Sequence, residues 1–118
     1  MNKNLPIIGC MRWGVWGAKF TTQQYEQIIQ ECIQIGLTRF DHADIYGHYT
    51  TEADFGKALQ SNTSLRKQIQ IITKCGIKMI TPNRPSHVIK SYDSSAKHII
   101  QSVEQSLKNF HTDYIDTL

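Results

Sequence analysis

The sequence holds no apolar run near the roughly 20 residues needed to span a bilayer, which excludes a transmembrane helix as its organising element. Met1 to Pro6 is polar and leads into no hydrophobic signal-peptide core, so a secreted destination is not expected. Cysteine is scarce and odd in number. Cys10, Cys32 and Cys75 stand far apart, form no CxxC pair, and suit neither a disulfide framework nor a zinc site. These absences point to a reducing cytoplasm. Charge of one sign is also lacking. Thirteen Lys and Arg against ten Asp and Glu leave +3, and the basic residues are scattered without interleaved aromatics, so a nucleic-acid surface is not expected. There is no internal repeat and no low-complexity segment. What remains, 40% hydrophobic and 19% charged over 118 residues, is the composition of one ordinary globular domain with its own core.

Short apolar runs alternate with amphipathic stretches. Pro6 to Met11 reads as a strand, followed by an aromatic-rich loop flanked by Gly14 and Gly17. Thr21 or Thr22 can cap a helix, because a hydroxyl accepts a free first-turn N–H. In that helix Tyr25, Ile28, Ile29, Cys32 and Ile33 repeat as one buried stripe, and Gly36 sits where a helix C-terminus favours a left-handed residue. Leu37 to Asp41 is a second strand, His42 to Thr50 a loop, and Glu52 to Leu59 a helix with Phe55, Ala58 and Leu59 inward. Ile69 to Lys74 is a third strand. Cys75 to Tyr92 carries Gly76, Pro82 and Pro85 and no sustained period, so it reads as a long loop. Asp93 or Ser94 can cap the last helix, whose stripe is Ala96, Ile99, Ile100, Val103, Leu107 and Phe110. Asp113 to Leu118 reads as a fourth strand.

The order β-α-β-α-β-α-β at this spacing predicts an α/β protein with a parallel sheet and right-handed crossovers. A dinucleotide-binding doubly wound sheet needs a Gly-x-Gly-x-x-Gly turn after its first strand. The turn here offers Gly14 and Gly17 without the first glycine, which weighs against that sheet and leaves both a doubly wound sheet and a barrel open.

In parallel α/β folds the working residues gather at strand C-termini. Asp41 closes the second strand, Tyr46 lies five residues further on, and Lys74 closes the third. A Lys ammonium beside a phenol favours phenolate, and a carboxylate beside the Lys keeps it charged, so the trio can make a tyrosine a general acid. Other readings stand beside this one: Asp41 as a loop cap, Tyr46 as a packing aromatic, Lys74 as a solvated charge. Asp41, His42, Asp44 and His48 form a second cluster with metal-binding side chains but no standard metal spacing, so no metal site is expected. Cys75 reads as a small buried thiol rather than a nucleophile. Trp13 and Trp16 suit either a ligand mouth or the core, and Arg84 and His87 either an anion contact or a solvated loop.

Phe40-Asp41-His42-Ala43-Asp44-Ile45-Tyr46-Gly47 resembles the aldo-keto reductase signature, in which an Asp precedes the catalytic Tyr by five. Ile71-Ile72-Thr73-Lys74-Cys75-Gly76 resembles the strand ending in that family's catalytic Lys. Val103 to Lys108 and Thr112 to Asp116 resemble the helix and strand leading to its catalytic His. Gly9-Cys10-Met11-Arg12-Trp13-Gly14 and Asn83-Arg84-Pro85 resemble one bacterial branch.

The resemblance implies a (β/α)8 TIM barrel, of which residues 1–118 would supply about three βα units plus a fourth strand. It also implies an oxidoreductase that reduces an aldehyde or ketone with NADPH, sometimes NADH. Tyr46 would donate the proton, Lys74 would lower its pKa, and Asp41 would pair with Lys74 on the nicotinamide side. The chain near Met11, Arg12 and Trp13 would line the nicotinamide end of the cofactor site. The family's His falls beyond a motif like Asp113 to Leu118, so the chain reads as stopping before the barrel closes. A partial barrel would be inactive alone, and would self-associate or need the missing half. The alternative reading is a non-catalytic fragment or a barrel-derived binding or regulatory subunit.

Overall fold

A computed structural model describes residues 4–118. Strand β1 is Ile8–Gly9, and helix α1, Thr22–Gln34, follows the aromatic loop. Thr21 is the N-cap: its side chain accepts from the backbone N–H of Gln24, whose own side chain accepts from the Thr21 N–H. This reciprocal pair satisfies two donors that a helix start leaves open. At the other end Gly36, with φ of 84°, turns the chain out. Its N–H donates to Ile33 and that of Leu37 to Cys32, the double bond of a Schellman ending.

Strand β2, Arg39–Asp41, and strand β3, Gln70–Ile72, complete a parallel sheet in the order β1-β2-β3. Between them lie a one-turn helix α2, Tyr46–Tyr49, and helix α3, Thr51–Ser61. Helix α4, Ala96–Phe110, comes after the long connection. The fourth strand arrives as a parallel bridge from Thr117 to Ile72. The Thr73 N–H donates to Thr117, and those of Asp116 and Thr117 donate to Ile71. Arg66 pins this segment: its guanidinium donates to Ile69 and Tyr114 carbonyls, Thr112 Oγ1 and Asp116 Oδ2, and lies 3.7 Å over the Tyr114 ring.

The period of two along each strand divides the sheet's faces. Phe40 and Ile71 are fully buried and face the helices, where Tyr25, Ile29, Phe55, Ala58, Leu59 and Phe110 complete the core. Arg39, Asp41, Gln70 and Ile72 share the opposite, half-open face. Helix α3 packs between α1 and α4. The approach to α4 is so close at Gly56 that a Cβ there would strike the Asn109 carbonyl.

Three expectations need correction. The long connection is not irregular throughout: β4, Ile77–Lys78, pairs antiparallel with β5, Ser91–Tyr92. The cap of α4 is Ser95, whose hydroxyl accepts from the His98 N–H, while Asp93 caps Ser95 itself. Along α4 the inward residues are Ser106 and Phe110, whereas Ala96 and Ile100 face outward.

Candidate active site

Asp41 is the last residue of β2, and Lys74 follows β3 by two residues, so the same alternation puts both on the half-open face. With Asp41 in register with Ile72, the lysine reaches across one strand spacing. Lys74 Nζ donates to Asp41 Oδ1 at 2.9 Å and to the His42 carbonyl at 2.7 Å. Tyr46 closes the set, with its ring centroid 5.4 Å from the same ammonium. Burial opposes the Lys74 charge, but the Asp41 hydrogen bond and the neighbouring Tyr46 phenol outweigh it, so the lysine pKa stands above its ordinary value. Within residues 4–118 the side chains of Lys74 and Asp41 are 51% and 32% exposed. Beside Asp41 in the sheet, Gly9 has open space where a Cβ would stand.

The turn that presents Tyr46 is unusual. Gly47, His48 and Tyr49 take φ values of 62°, 55° and 68°, three successive residues in the left-handed region. Only glycine adopts that region without cost, because a Cβ crowds the following carbonyl. Trp16 flanks the turn, tilted against Tyr46 with centroids 6.3 Å apart and edge-on to His48 at 5.3 Å.

Met11 and Arg12 are exposed in the loop after β1. The Trp13 indole, by contrast, is engaged in the core, within about 6 Å of Phe20, Tyr25, Phe40 and Phe55. Of the two indoles, Trp16 is the one beside Tyr46.

His42 shares the helix-facing side of its strand with Phe40. It lies fully buried between Phe55 and Phe110, with centroids 4.4 and 5.0 Å away and no hydrogen-bond partner on either ring nitrogen. Burial, aided by Lys74, pushes its pKa down to about 3. The residues Asp41, His42, Asp44 and His48 therefore do not converge. No group of three or more His, Cys, Asp or Glu poised for a metal occurs among the described residues.

Two acids stand behind the site. Glu52 is buried and accepts from Thr73 Oγ1 at 2.7 Å, from Ser106 Oγ and from Asn109 Nδ2. Its pKa is raised by burial against those hydrogen bonds. Asp44 is pushed up to about 7, by burial first and by Glu52 second. Reasoning from sequence missed Glu52, although its spacing of three from Phe55 and seven from Leu59 was a readable signal of an inward position. Both acids border a cavity of about 430 Å³ between the long connection and α4.

Parallel strands covered on one face by helices, with an ion pair and a phenol at their C-terminal ends, are the arrangement of successive βα units in an α/β barrel. Residues 7–118 match the model of the aldo/keto reductase family, and the chain belongs to that family. It is 47% identical over 112 residues to the uncharacterized oxidoreductase YcsN of Bacillus subtilis, covering 95% of this chain and 37% of that protein. It is 40% identical over 110 residues to a 6-dehydroglucose reductase of Agrobacterium fabrum, covering 90% and 37%. Among solved structures, the holo form of the aldo-keto reductase AKR11C1 from Bacillus halodurans superposes with a TM-score of 0.70 at 28% identity, over 92% of this chain and 33% of that one. The chain thus spans little more than a third of the length of the curated relatives it matches. No helix among the described residues is long and apolar enough to cross a membrane.

Proposed function

We propose that the complete barrel protein reduces an aldehyde or ketone to an alcohol with NADPH, or with NADH in its place, and that Tyr46 is the proton donor. The observation that carries this reading is the Lys74–Asp41 ion pair set against Tyr46 at the ends of adjacent strands. The cofactor, when bound, supplies a hydride to the carbonyl carbon. Tyr46 Oη then gives its proton to the carbonyl oxygen. The phenolate left behind is favoured by the Lys74 ammonium, which cannot swing away while Asp41 Oδ1 and the His42 carbonyl hold two of its protons. Asp41, with Met11 and Arg12 of the loop after β1, would line the nicotinamide end of the cofactor site. Trp13 would contribute there through its backbone.

The name of the Agrobacterium relative, a reductase of a dehydro-sugar, supports a small-molecule carbonyl as substrate. The test is aerobic turnover of the complete protein with a panel of aldehydes and ketones, following NADPH and alcohol together. One alcohol formed per NADPH consumed is expected. NADPH binding without consumption across the panel would overturn the reading.

A further inference from the structure

Tyr49 has no part in the reaction just described, yet the long connection is built around it. Its Oη donates to the Ile77 carbonyl at 3.0 Å and accepts from the Met79 N–H at 3.0 Å. The phenol thus bridges the two residues that flank Lys78 in β4. The Arg84 guanidinium lies 4.3 Å over the Tyr49 ring, and the His87 ring meets it edge-on at 6.0 Å. His87 Nδ1 is in turn 3.0 Å from the Met79 carbonyl, and Asn83 Nδ2 donates to the His48 carbonyl at 2.8 Å. Every one of these contacts ends on His48 or Tyr49, or on Met79, the residue after β4 whose N–H the Tyr49 hydroxyl holds.

Those two residues are the non-glycine members of the left-handed stretch. Such a conformation persists only where its surroundings over-determine it. Inside the turn the Tyr49 N–H donates to Ile45 at 3.3 Å, the Thr50 N–H to Tyr46 and Gly47 at 3.2 Å, and the Thr50 hydroxyl to the Gly47 carbonyl, but none of these bonds engages the Tyr49 side chain. Trp16 packs against the turn from one side, and the connection between β4 and β5 supplies the hydrogen bonds that reach His48 and Tyr49 from outside it. We propose that Tyr49 is a positioning residue: by fastening the left-handed turn to that connection, it fixes the direction in which the preceding residue, Tyr46, presents its phenol to Lys74. The segment 77–87 is then a brace of the reacting tyrosine rather than a free loop. This inference rests on the reductase reading for its kinetic arm but not for its structural arm.

The test uses the complete barrel protein with NADPH and 4-nitrobenzaldehyde. Tyr49→Phe deletes one oxygen and keeps the ring under Arg84. It is expected to lower kcat about ten- to a hundredfold, as a small misplacement of a reacting group does. KM, NADPH affinity and Tm should stay close to wild type, and amide hydrogen exchange at 47–50 should quicken. Adding His48→Gly, which removes the steric cost of the left-handed turn without restoring a bond to the brace, should return most of the lost kcat. Asn83→Ala, at an exposed position, gives a second route to the same effect should Tyr49→Phe misfold. Wild-type kcat with unchanged exchange at 47–50 would overturn the proposal, as would a loss that falls on KM or NADPH affinity and is not rescued by His48→Gly. If wild type itself reduces no aldehyde, the reductase reading fails separately. Hydrogen exchange then decides alone, quickened exchange in Tyr49→Phe supporting the brace and unchanged exchange refuting it.

Discussion

Lys74 illustrates how much a single position settles at the residue scale. One ammonium joins the ends of two strands through Asp41 and the His42 carbonyl and still lies beside Tyr46. Lys74→Met keeps the length and removes the charge. It should cut kcat for carbonyl reduction at least about a hundredfold, since the proton transfer it assists is worth that order, and steady-state kinetics would read it. His42, one residue past Asp41, makes a different prediction. Its imidazole stands near 3 in the folded protein, against 6.5 ordinarily. Between those values the unfolded chain binds more protons than the native one, so stability present above 6.5 is lost as pH falls toward 3. Asp44, held near 7, has a raised pKa and titrates with the opposite sign, its stabilisation fading as pH rises toward 7. Comparing His42→Phe with wild type therefore isolates the histidine. From about pH 7.5 to about pH 5 wild type's urea midpoint should drop relative to the variant's; a difference between the two that does not change with pH would refute the assignment. That Asp41 and Lys74 meet was legible in the sequence because they stand at or just past the ends of adjacent strands, whereas Tyr46 was singled out chiefly by the motif it shares with the aldo-keto reductases. The burial of His42 was half legible, since a period of two puts it on the face of Phe40. What faced it, Phe110, lies too far along the chain for any local pattern to announce.

At the scale of elements, helix α3 is the keystone between α1 and α4. Glu52 joins it to β3 through Thr73 and to α4 through Ser106 and Asn109. Glu52→Ala strands the buried Thr73 and Ser106 hydroxyls and the half-buried Asn109 amide, and should destabilise by about 2–4 kcal/mol, measured by denaturant unfolding of the complete barrel. Gly56 sets how near α4 can come. Gly56→Ala should cost about 1–3 kcal/mol through forced separation of the helices, although alanine is the better helix former by about 1 kcal/mol. A neutral or stabilising result would show that α4 shifts freely. Helix α1 was readable because its cap, stripe and terminal glycine all lie within its own sequence. The start of α4 was not, because Asp93, Ser94 and Ser95 all suit a cap and only the tertiary position of the first turn chooses. The β4–β5 pairing was hidden for a similar reason. Two residues a side carry no periodicity, and the partner that fixes them, the Tyr49 hydroxyl, comes from another loop.

The whole molecule is an arc of sheet with helices on one face and open space on the other. Ile7, Ile100 and Leu118 stand 47%, 58% and 59% exposed. The β1 edge offers backbone groups to any strand that pairs with them. A polypeptide of these 118 residues alone should therefore self-associate, appearing as multimers in light scattering after gel filtration; a monomer unfolding in one cooperative step would contradict this. The parallel α/β class was legible from the β-α alternation, while the barrel was legible only through the resemblance carried by the Asp41 to Gly47 and Ile71 to Gly76 motifs, which the family match bears out. The open face follows from the alternation only once strand register is known.

The central claim, that Tyr46 delivers the proton, is tested most directly by the kcat of Tyr46→Phe in the complete barrel, with NADPH and an aldehyde that wild type reduces. The account predicts a loss of about 10²–10⁴-fold with NADPH affinity preserved; turnover at the wild-type rate would contradict it.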